Sequence, residues 1–194
     1  MIVGLDEAGV GPAFGSLWAA AVAIPNDEEF QGMKDSKRMS EKKRELMYEK
    51  LTKQTLWGLG EVTCSEIDES GLARARRVVF HRALKNLFEN NPGVHVKKLI
   101  VDGTIFESWN DIPYECIPKA DEKYSCVAAA SVLAKVTRDR QVSRLCDEDE
   151  TLSDRYGIHK NKGYLSDEHI RGIKEHGYTE FHRRSYKIRK IETS

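Results

Sequence analysis

The sequence is poor in the features that mark several common classes of protein. Basic and acidic residues balance, so the formal net charge of +0 gives no global reason to bind a polyanion, and only local clusters can do so. The 4 cysteines stand at positions 64, 116, 126 and 146, and no two are at CxxC spacing. This spacing argues against a zinc finger, a thioredoxin-like site or a disulfide scaffold and is typical of a reducing compartment.

Long apolar runs are also absent. The longest, Leu17–Ile24 and Cys126–Ala134, are much shorter than the roughly 18 residues that a membrane-spanning helix needs. A strand-like segment begins almost at Met1, so we expect no signal peptide. With 194 residues the chain can bury the core of one domain. We therefore expect a cytoplasmic protein, monomeric by default, that does not contact a membrane.

Strand-like and helix-like segments alternate along the chain. Short apolar segments closed by turn residues predict strands, and longer periodic segments, two of them opened by Ser40 and Ser166 as N-caps, predict helices. Because strands come before and between helices, the pattern indicates an α/β domain with a mixed sheet. The predicted strands are residues 2–5, 17–24, 56–64, 96–101 and 114–117, and the predicted helices are 41–53, 71–90, 125–146 and one after Ser166.

Acidic residues recur at the ends of these apolar segments. They are Asp6 and Glu7 after the first strand, Asp102 after the central strand, and Asp121 before the alanine-rich helix. Strand ends on one edge of a sheet bring distant side chains into one crevice. Four carboxylates held there would repel one another, and a hard divalent cation such as magnesium or manganese removes that penalty. The alternative is that each acid begins a solvated loop, and spacing alone does not decide between the two.

A glycine-rich turn follows the first acidic pair. Adjacent strand residues point to opposite faces, so Asp6 and Glu7 converge only if the chain turns there, and the segment Gly9–Pro12 supplies a turn. Its glycines also fit a dinucleotide-binding turn, but the third glycine is misplaced, at Gly15, and two carboxylates directly precede the turn. The sequence therefore favours a metal site here over a nucleotide site.

Three local clusters of basic residues can contact a phosphate backbone. Residues 183–190 hold five positive and no negative residues, residues 34–44 hold six bases against two acids, and residues 74–85 hold five bases and no acid. We expect the first cluster to bind nucleic acid, with His182 beside it, and the last to be the solvated face of a helix. No histidine pair supports a ribonuclease that uses the ribose hydroxyl as nucleophile.

Several motifs, in order along almost the whole chain, resemble the ribonuclease HII family, that is, type 2 ribonuclease H. The opening motif is Gly4–Pro12 (GLDEAGVGP), and Asp35–Arg38 followed by Ser40–Arg44 resembles the next. The remaining matches are Val101–Gly103, Lys119–Asp121 with Ala128–Ser131, Ala134–Asp139, Lys162–Tyr164 and His182–Ser185. The resemblance implies a ribonuclease H-like fold, with a central mixed five-stranded sheet flanked by helices. It also implies a catalytic domain over residues 1–150 and a helical substrate-binding extension over residues 151–194.

The resemblance also implies the residue roles. The catalytic and metal-binding carboxylates would be Asp6, Glu7, Asp102 and Asp121, with Asp139 left in a supporting role. Two ions, Mg²⁺ or Mn²⁺, would promote hydrolysis on the 5′ side of a ribonucleotide in an RNA–DNA hybrid or in duplex DNA, leaving 5′-phosphate and 3′-hydroxyl ends. The substrate contacts would be Gly9, Val10 and Gly11 at the ribose 2′-hydroxyl, Tyr164 at a sugar, and Lys37, Arg183 and Arg184 at phosphates.

Val10 departs from the pattern, since family members usually carry a basic residue at this position. Valine offers backbone groups to the 2′-hydroxyl but no cation to a phosphate. Type 3 enzymes carry a threonine of similar size there and prefer longer RNA stretches, but they have an N-terminal substrate-binding domain that we do not expect in this protein. Two further alternatives are another nuclease of the same broad fold, such as a resolvase, and a non-catalytic nucleic-acid-binding protein.

Overall fold

The computed structural model describes residues 1–26, 30 and 39–188. Lys37 and the first part of the basic cluster, residues 34–38, therefore lie outside the described residues. One mixed sheet forms the centre, with strand order β3-β2-β1-β4-β5. Strands β1, β2 and β3 pair antiparallel, whereas β4 pairs parallel to both β1 and β5. The strands are β1 (Ile2–Ala8), β2 (Leu17–Ala23), β3 (Leu56–Val62), β4 (Lys98–Asp102) and β5 (Tyr114–Ile117).

Helices cover both faces of this sheet. Those described are α1 (Glu41–Gln54), α2 (Cys64–Ser70), α3 (Leu72–Asn90), α4 (Ser125–Glu148), α5 (Thr151–Tyr156), α6 (Ile158–Asn161) and α7 (Asp167–His176), with a short 3₁₀ helix at Ala120–Glu122. Within the described residues, no helix is long and apolar enough to cross a bilayer. The α/β class and the five-stranded mixed sheet predicted from the sequence are confirmed.

Glycines allow the two long helices to lie directly on the strands. A Cβ placed on Gly4 of β1 would come within 2.3 Å of the backbone of Cys126 in α4. On the other face, a Cβ on Gly58 of β3 would come within 2.1 Å of the backbone of Leu87 in α3. Such contacts exclude any side chain, since even one methyl group must displace backbone. Helices α4 and α3 therefore flank the central strand from opposite sides.

The C-terminal helices form their own small core around the second half of α4. Val142 and Cys146 of α4 pack with Phe14 of the β1–β2 loop and with the C-terminal apolar side chains. Those side chains include Leu152, Tyr156, Ile158, Ile170, Ile173 and Ile188. The segment after residue 150 is thereby fixed against the loop that follows the acidic pair.

The element boundaries differ from the sequence expectations in one informative place. β1 was expected to end at Leu5, but it continues through Ala8. Its parallel pairing with β4 stops at Leu5, opposite Val101, whereas the antiparallel ladder with β2 runs on to Ala8, opposite Trp18. The neighbouring strand thus keeps the acidic pair in extended backbone. Both predicted N-caps are confirmed, because Ser40 accepts a hydrogen bond from Lys43 N–H and Ser166 accepts one from His169 N–H.

Candidate active site

The two adjacent acids at the end of β1 lie on opposite faces of the sheet. Asp6 is on the α4 side, where Ser131 of α4 hydrogen-bonds to it and Glu7 N–H donates to its Oδ1 at 2.8 Å. Glu7 is on the α3 side and forms an ion pair with Arg76 of that helix. The expected turn does not separate the pair, since it begins only after Ala8. Both side chains nevertheless line one cavity at the strand end.

Asp102 joins them from the parallel neighbour strand. It is the last residue of β4, and its Oδ1 accepts a hydrogen bond from Ala120 N–H at 2.8 Å. That bond ties β4 to the 3₁₀ helix that carries Asp121, a side chain only 3% exposed. Asp6, Glu7 and Asp102 line the cavity, while Asp121 lies in the adjoining buried turn and does not form its wall. The structure thus brings three of the predicted carboxylates into one cavity and places the fourth, Asp121, next to the backbone group that hydrogen-bonds Asp102.

The cavity is open and has both acidic and basic sides. Its volume is about 420 Å³. Arg44 of α1 and Lys135 of α4 contribute positive charge to its wall, and Tyr164, 51% exposed, stands at its rim. The remaining lining comes from Ala8–Gly11, Ser131 and Val132. The acidic side of this wall suits a divalent cation, and the basic side suits a phosphate group.

The pKa values show that the acidic wall is electrostatically strained. The pKa of Asp6 is raised to about 8, chiefly by burial and in addition by the neighbouring carboxylates of Asp102 and Glu7. Burial also raises the pKa of Glu7 above its ordinary value, in spite of the Arg76 guanidinium, which lowers it. A protein gains nothing in stability from carboxylates in this state, so the arrangement is typical of a functional site.

The donor set fits a divalent cation, although the side chains are not arranged around one. Among the residues that the structure describes, no three acidic, histidine or cysteine side chains converge closely enough to hold an ion. The available donors are nevertheless all oxygens, as Mg²⁺ and Mn²⁺ prefer. Glu7 Oε2 is buried and has no hydrogen-bond partner in the described structure. A cation would satisfy this oxygen and relieve the repulsion at Asp6.

The predicted substrate loop, Gly9–Gly11, lies on two buried arginines. Gly9 has φ +97, a conformation that favours glycine, and a Cβ there would come within 2.7 Å of Arg138 Nε. Arg138 donates to Phe14 O and to Lys162 O, at 3.3 and 2.8 Å. Arg183, 0% exposed, donates to Gly15 O at 2.9 and 2.7 Å. The two buried guanidinium groups therefore hold the backbone of the loop in place.

The side chain of Arg183 does not face solvent, although the basic segment 183–190 was expected to form a nucleic-acid-binding surface. The charge pattern could not show that backbone carbonyls near residue 15 use this guanidinium. Arg184 is exposed, and its backbone N–H donates to Asp68 at 2.9 Å. The two adjacent arginines thus have different environments, and only Arg184 is free to reach a phosphate directly.

Tyr164 is positioned by a chain of hydrogen bonds between two buried histidines. Thr179 N–H donates to His182 Nδ1 at 3.0 Å, which leaves the proton of His182 on Nε2. His182 Nε2 then donates to His169 Nε2 at 3.0 Å, and His169 Nδ1 donates to Tyr164 O at 3.0 Å. His182 is 2% exposed, so the phosphate contact considered for it is wrong. Its burial instead connects the C-terminal segment to the rim of the cavity.

Arg76 beside the cavity, like Arg44, Ser131 and Lys135 in its wall, was not among the site residues predicted from the sequence. Residues 74–85 were interpreted as a solvated basic face, and Arg82 and Lys85 do form exposed ion pairs with Glu66 and Glu89. Arg76 instead points to Glu7. A signal was present, because Arg76 lies one helical turn before Phe80, on the apolar side of α3. A lone base within an apolar stripe indicates an acidic partner in the core.

Comparisons with known proteins identify the family and the fold. The family model described as Ribonuclease HII matches residues 3–189. Ribonuclease HII from Bacteroides thetaiotaomicron is 40% identical over 186 residues, which cover 95% of this chain and 88% of that protein. The crystal structure of ribonuclease H2 from Pyrococcus horikoshii superposes with a TM-score of 0.79 at 29% identity, covering 99% and 97% of the two chains. RNase HII from Archaeoglobus fulgidus, in a complex with PCNA, gives 0.75 at 26% identity and covers 97% and 96%.

The mixed sheet with acids at one edge defines a metal-dependent nuclease of the ribonuclease H-like fold. Within that class, the chain belongs to the ribonuclease HII family, the endoribonucleases that act on RNA–DNA hybrids. The resemblance inferred from the sequence motifs is confirmed.

Proposed function

We propose that this protein hydrolyses the RNA strand of RNA–DNA hybrids and cuts on the 5′ side of ribonucleotides embedded in duplex DNA. We assign the catalytic carboxylates as Asp6, Glu7, Asp102 and Asp121. The observation that carries the proposal is the strained acidic wall. Asp6, Glu7 and Asp102 line one cavity at the sheet edge, with the pKa of Asp6 raised to about 8 by burial and by its acidic neighbours.

The four carboxylates would hold two divalent ions, Mg²⁺ or Mn²⁺. When bound, these ions supply activation of the attacking water and stabilisation of the leaving 3′ oxygen. The protein's own contribution is to fix the acids before the substrate arrives. Ser131 and Glu7 N–H orient the Asp6 carboxylate, and Ala120 N–H orients that of Asp102.

Discrimination of RNA from DNA is assigned to the glycine loop and Tyr164. The loop backbone lies next to the acids, and Gly11 is so close to Tyr164 that a Cβ would be 3.4 Å from its ring. Backbone groups at Gly9–Gly11 can hydrogen-bond a ribose 2′-hydroxyl, which DNA does not have. The exposed ring of Tyr164 would pack against the adjacent sugar, and Arg44, Lys135 and Arg184 are near enough or exposed enough to meet phosphates.

The segment 151–194 is proposed to act as the substrate-binding extension of a catalytic domain spanning residues 1–150. The support is the separate small core around Phe14, which attaches this segment to the loop after β1. Lys37 keeps its predicted phosphate contact as a proposal, since it lies outside the described residues. We expect the protein to act as a monomer.

The test is cleavage mapping on matched duplexes that contain one, four or many ribonucleotides, beside an all-DNA duplex, with Mg²⁺ or Mn²⁺. We expect cuts on the 5′ side of ribonucleotides, with 3′-hydroxyl products and no cutting of the all-DNA duplex. Asp121→Asn should abolish cleavage and leave duplex binding nearly unchanged, whereas Glu122→Gln, at an exposed neighbouring carboxyl, should behave as wild type. Cleavage of the all-DNA duplex would instead indicate a resolvase-like nuclease. Retained turnover in Asp121→Asn would move the fourth acidic role to another residue, first Asp139.

A further inference from the structure

Arg76 is placed where a nucleic acid and a metal ion would both meet it. It rises from α3, and its Nη2 forms an ion pair with Glu7 Oε1. The same Nη2 atom would lie 3.7 Å from a Cβ on Gly103, the residue after Asp102. The guanidinium therefore lies beside the ends of both β1 and β4, in contact with Glu7 and next to the residue that follows Asp102.

Two polar atoms of this ion pair are buried without a hydrogen-bond partner in the described structure. They are Arg76 Nε and Glu7 Oε2. The side chain of Arg76 is 19% exposed, and that of Glu7 is 9% exposed. A pair built only for stability satisfies its remaining donors and acceptors, because an unsatisfied buried group costs about 1–3 kcal/mol. The Nε–H donor of Arg76 and the Oε2 acceptor of Glu7 are therefore available to a ligand.

A divalent cation and the guanidinium compete for the same carboxylate. Glu7 faces Arg76, and no three acidic side chains of the described structure converge on one ion. An ion bound by Glu7 would take over the charge compensation that Arg76 now provides, and the guanidinium would then be left without its anion. The nearest anion available to it in a loaded site is a phosphate of the substrate backbone, which suits the geometry of arginine.

We propose that Arg76 holds Glu7 in the metal-free protein and, once a metal ion claims that carboxylate, transfers its guanidinium to a substrate phosphate at the cleavage site. This inference rests on the proposed function of the same site. Arg76 is thus a substrate-positioning residue, and its ion pair with Glu7 lowers the metal affinity of the free protein. Metal and nucleic acid bind cooperatively as a result, since each provides a partner for one member of the broken pair.

The experiment compares Arg76→Met, which keeps the apolar stem, with Arg77→Met, which changes the exposed neighbour on the same helix. Mn²⁺ binding to the free protein is measured by calorimetry at mildly alkaline pH, and cleavage of an RNA–DNA hybrid is measured at saturating Mn²⁺. We expect Arg76→Met to bind Mn²⁺ at least about fivefold more tightly, the lower end for coupled sites, while KM for the hybrid rises by about tenfold and kcat changes little. Arg77→Met should alter neither quantity.

Two results would overturn the inference. Unchanged or weaker Mn²⁺ binding by a folded Arg76→Met protein would show that Arg76 does not compete for Glu7. A hybrid KM equal to that of wild type would show that the guanidinium does not reach the substrate. A merely structural role would weaken both kinds of binding together and lower the melting temperature. Failure of the proposed function is a separate outcome, because the wild-type protein itself would then leave the hybrid uncut.

Discussion

The two sides of the cavity are built on opposite principles. On the acidic side, Asp6 has a strongly raised pKa, and Glu7 Oε2 is buried without a hydrogen-bond partner in the described structure. On the loop side, the guanidinium of Arg183 uses backbone carbonyls at Gly15 and Val10 and the hydroxyl of Tyr186. The acidic side is held in a state that costs stability until a cation arrives, whereas the loop side is rigid before any ligand binds. If the function is as proposed, binding energy is kept for the reacting centre and the substrate is recognised by a preformed surface.

The largest effect should come from breaking the acidic side at Asp6. Asp6→Asn keeps the shape and the acceptor for Glu7 N–H but removes the charge, so hybrid cleavage should fall by at least about a hundredfold. The same change should raise the melting temperature of the metal-free protein at mildly alkaline pH, because the buried charge disappears. Cleavage assays and thermal unfolding in a chelator measure the two effects. Glu122→Gln should leave both unchanged, and an Asp6→Asn protein that is inactive but less stable would contradict the strained-wall account.

The pH dependence of the wild-type protein follows from the same carboxyl. The pKa of Asp6 is raised from 3.8 to about 8, so between these values the folded protein retains a proton that the unfolded chain has lost. Stability supplied by this protonated form should therefore decrease as the pH rises from about 4 to about 8, and it should recover on addition of Mg²⁺. Asp6→Asn should show neither the decrease nor the recovery.

The next effect should come from the loop side, where adjacent arginines separate stability from binding. Arg183→Met removes a buried guanidinium from its carbonyl partners and should lower the free energy of unfolding by about 2–4 kcal/mol. Arg184→Met should change stability by less than about 0.5 kcal/mol but weaken hybrid binding and reduce its salt dependence by about one ion. Denaturant unfolding and binding titrations at several salt concentrations distinguish the two. If Arg183→Met unfolds like wild type, the loop does not depend on this guanidinium.

The histidine chain should give a smaller and pH-dependent effect. Burial, with smaller contributions from the nearby His169 and Arg184, lowers the pKa of His182 to about 3. Below the ordinary value of 6.5 the unfolded chain takes up a proton that the folded protein refuses, so stability should fall as the pH drops from about 6.5, by at most about 1.4 kcal/mol per pH unit for this group. His182→Gln should reduce this slope and raise KM for the hybrid by loosening Tyr164. His159→Gln, at an exposed position, is the control, and an unchanged slope in His182→Gln would contradict the assignment.

The acidic side could be predicted from the sequence far better than the loop side. Carboxylates at the ends of apolar segments made a metal site one of two open interpretations, because sheet geometry gathers strand ends whatever the loops do, and the family motifs favoured that interpretation. The expectation for the tail failed at Arg183 and His182, since net charge describes composition and says nothing of the partners of a side chain. The carbonyl partner of Arg183 is Gly15, 168 residues away along the chain, and the imidazole partner of His182 is His169, 13 residues away. Arg76 was missed for a similar reason: its partner Glu7 belongs to a strand on which α3 packs, and only tertiary structure brings the two together.

The smallest effect should come from Val10, where the two sides of the cavity meet. Its carbonyl accepts a hydrogen bond from Tyr186 Oη at 2.6 Å. Val10 also lines the cavity and packs against the hydrophobic core between α3 and the sheet. Val10→Arg would add a cation at the point where family members usually carry one, so KM on a duplex with one embedded ribonucleotide should fall a few-fold, about 1 kcal/mol for one exposed phosphate contact. KM for long hybrids, which already offer many contacts, should change less.

Val10→Thr, which adds a hydroxyl but no charge, is the matched control, and an equal fall in KM with threonine would assign the effect to hydrogen bonding at the loop. A KM that does not fall in Val10→Arg would show that Val10 is not the missing phosphate anchor, and that the rigid loop reads single ribonucleotides without a cation at this position.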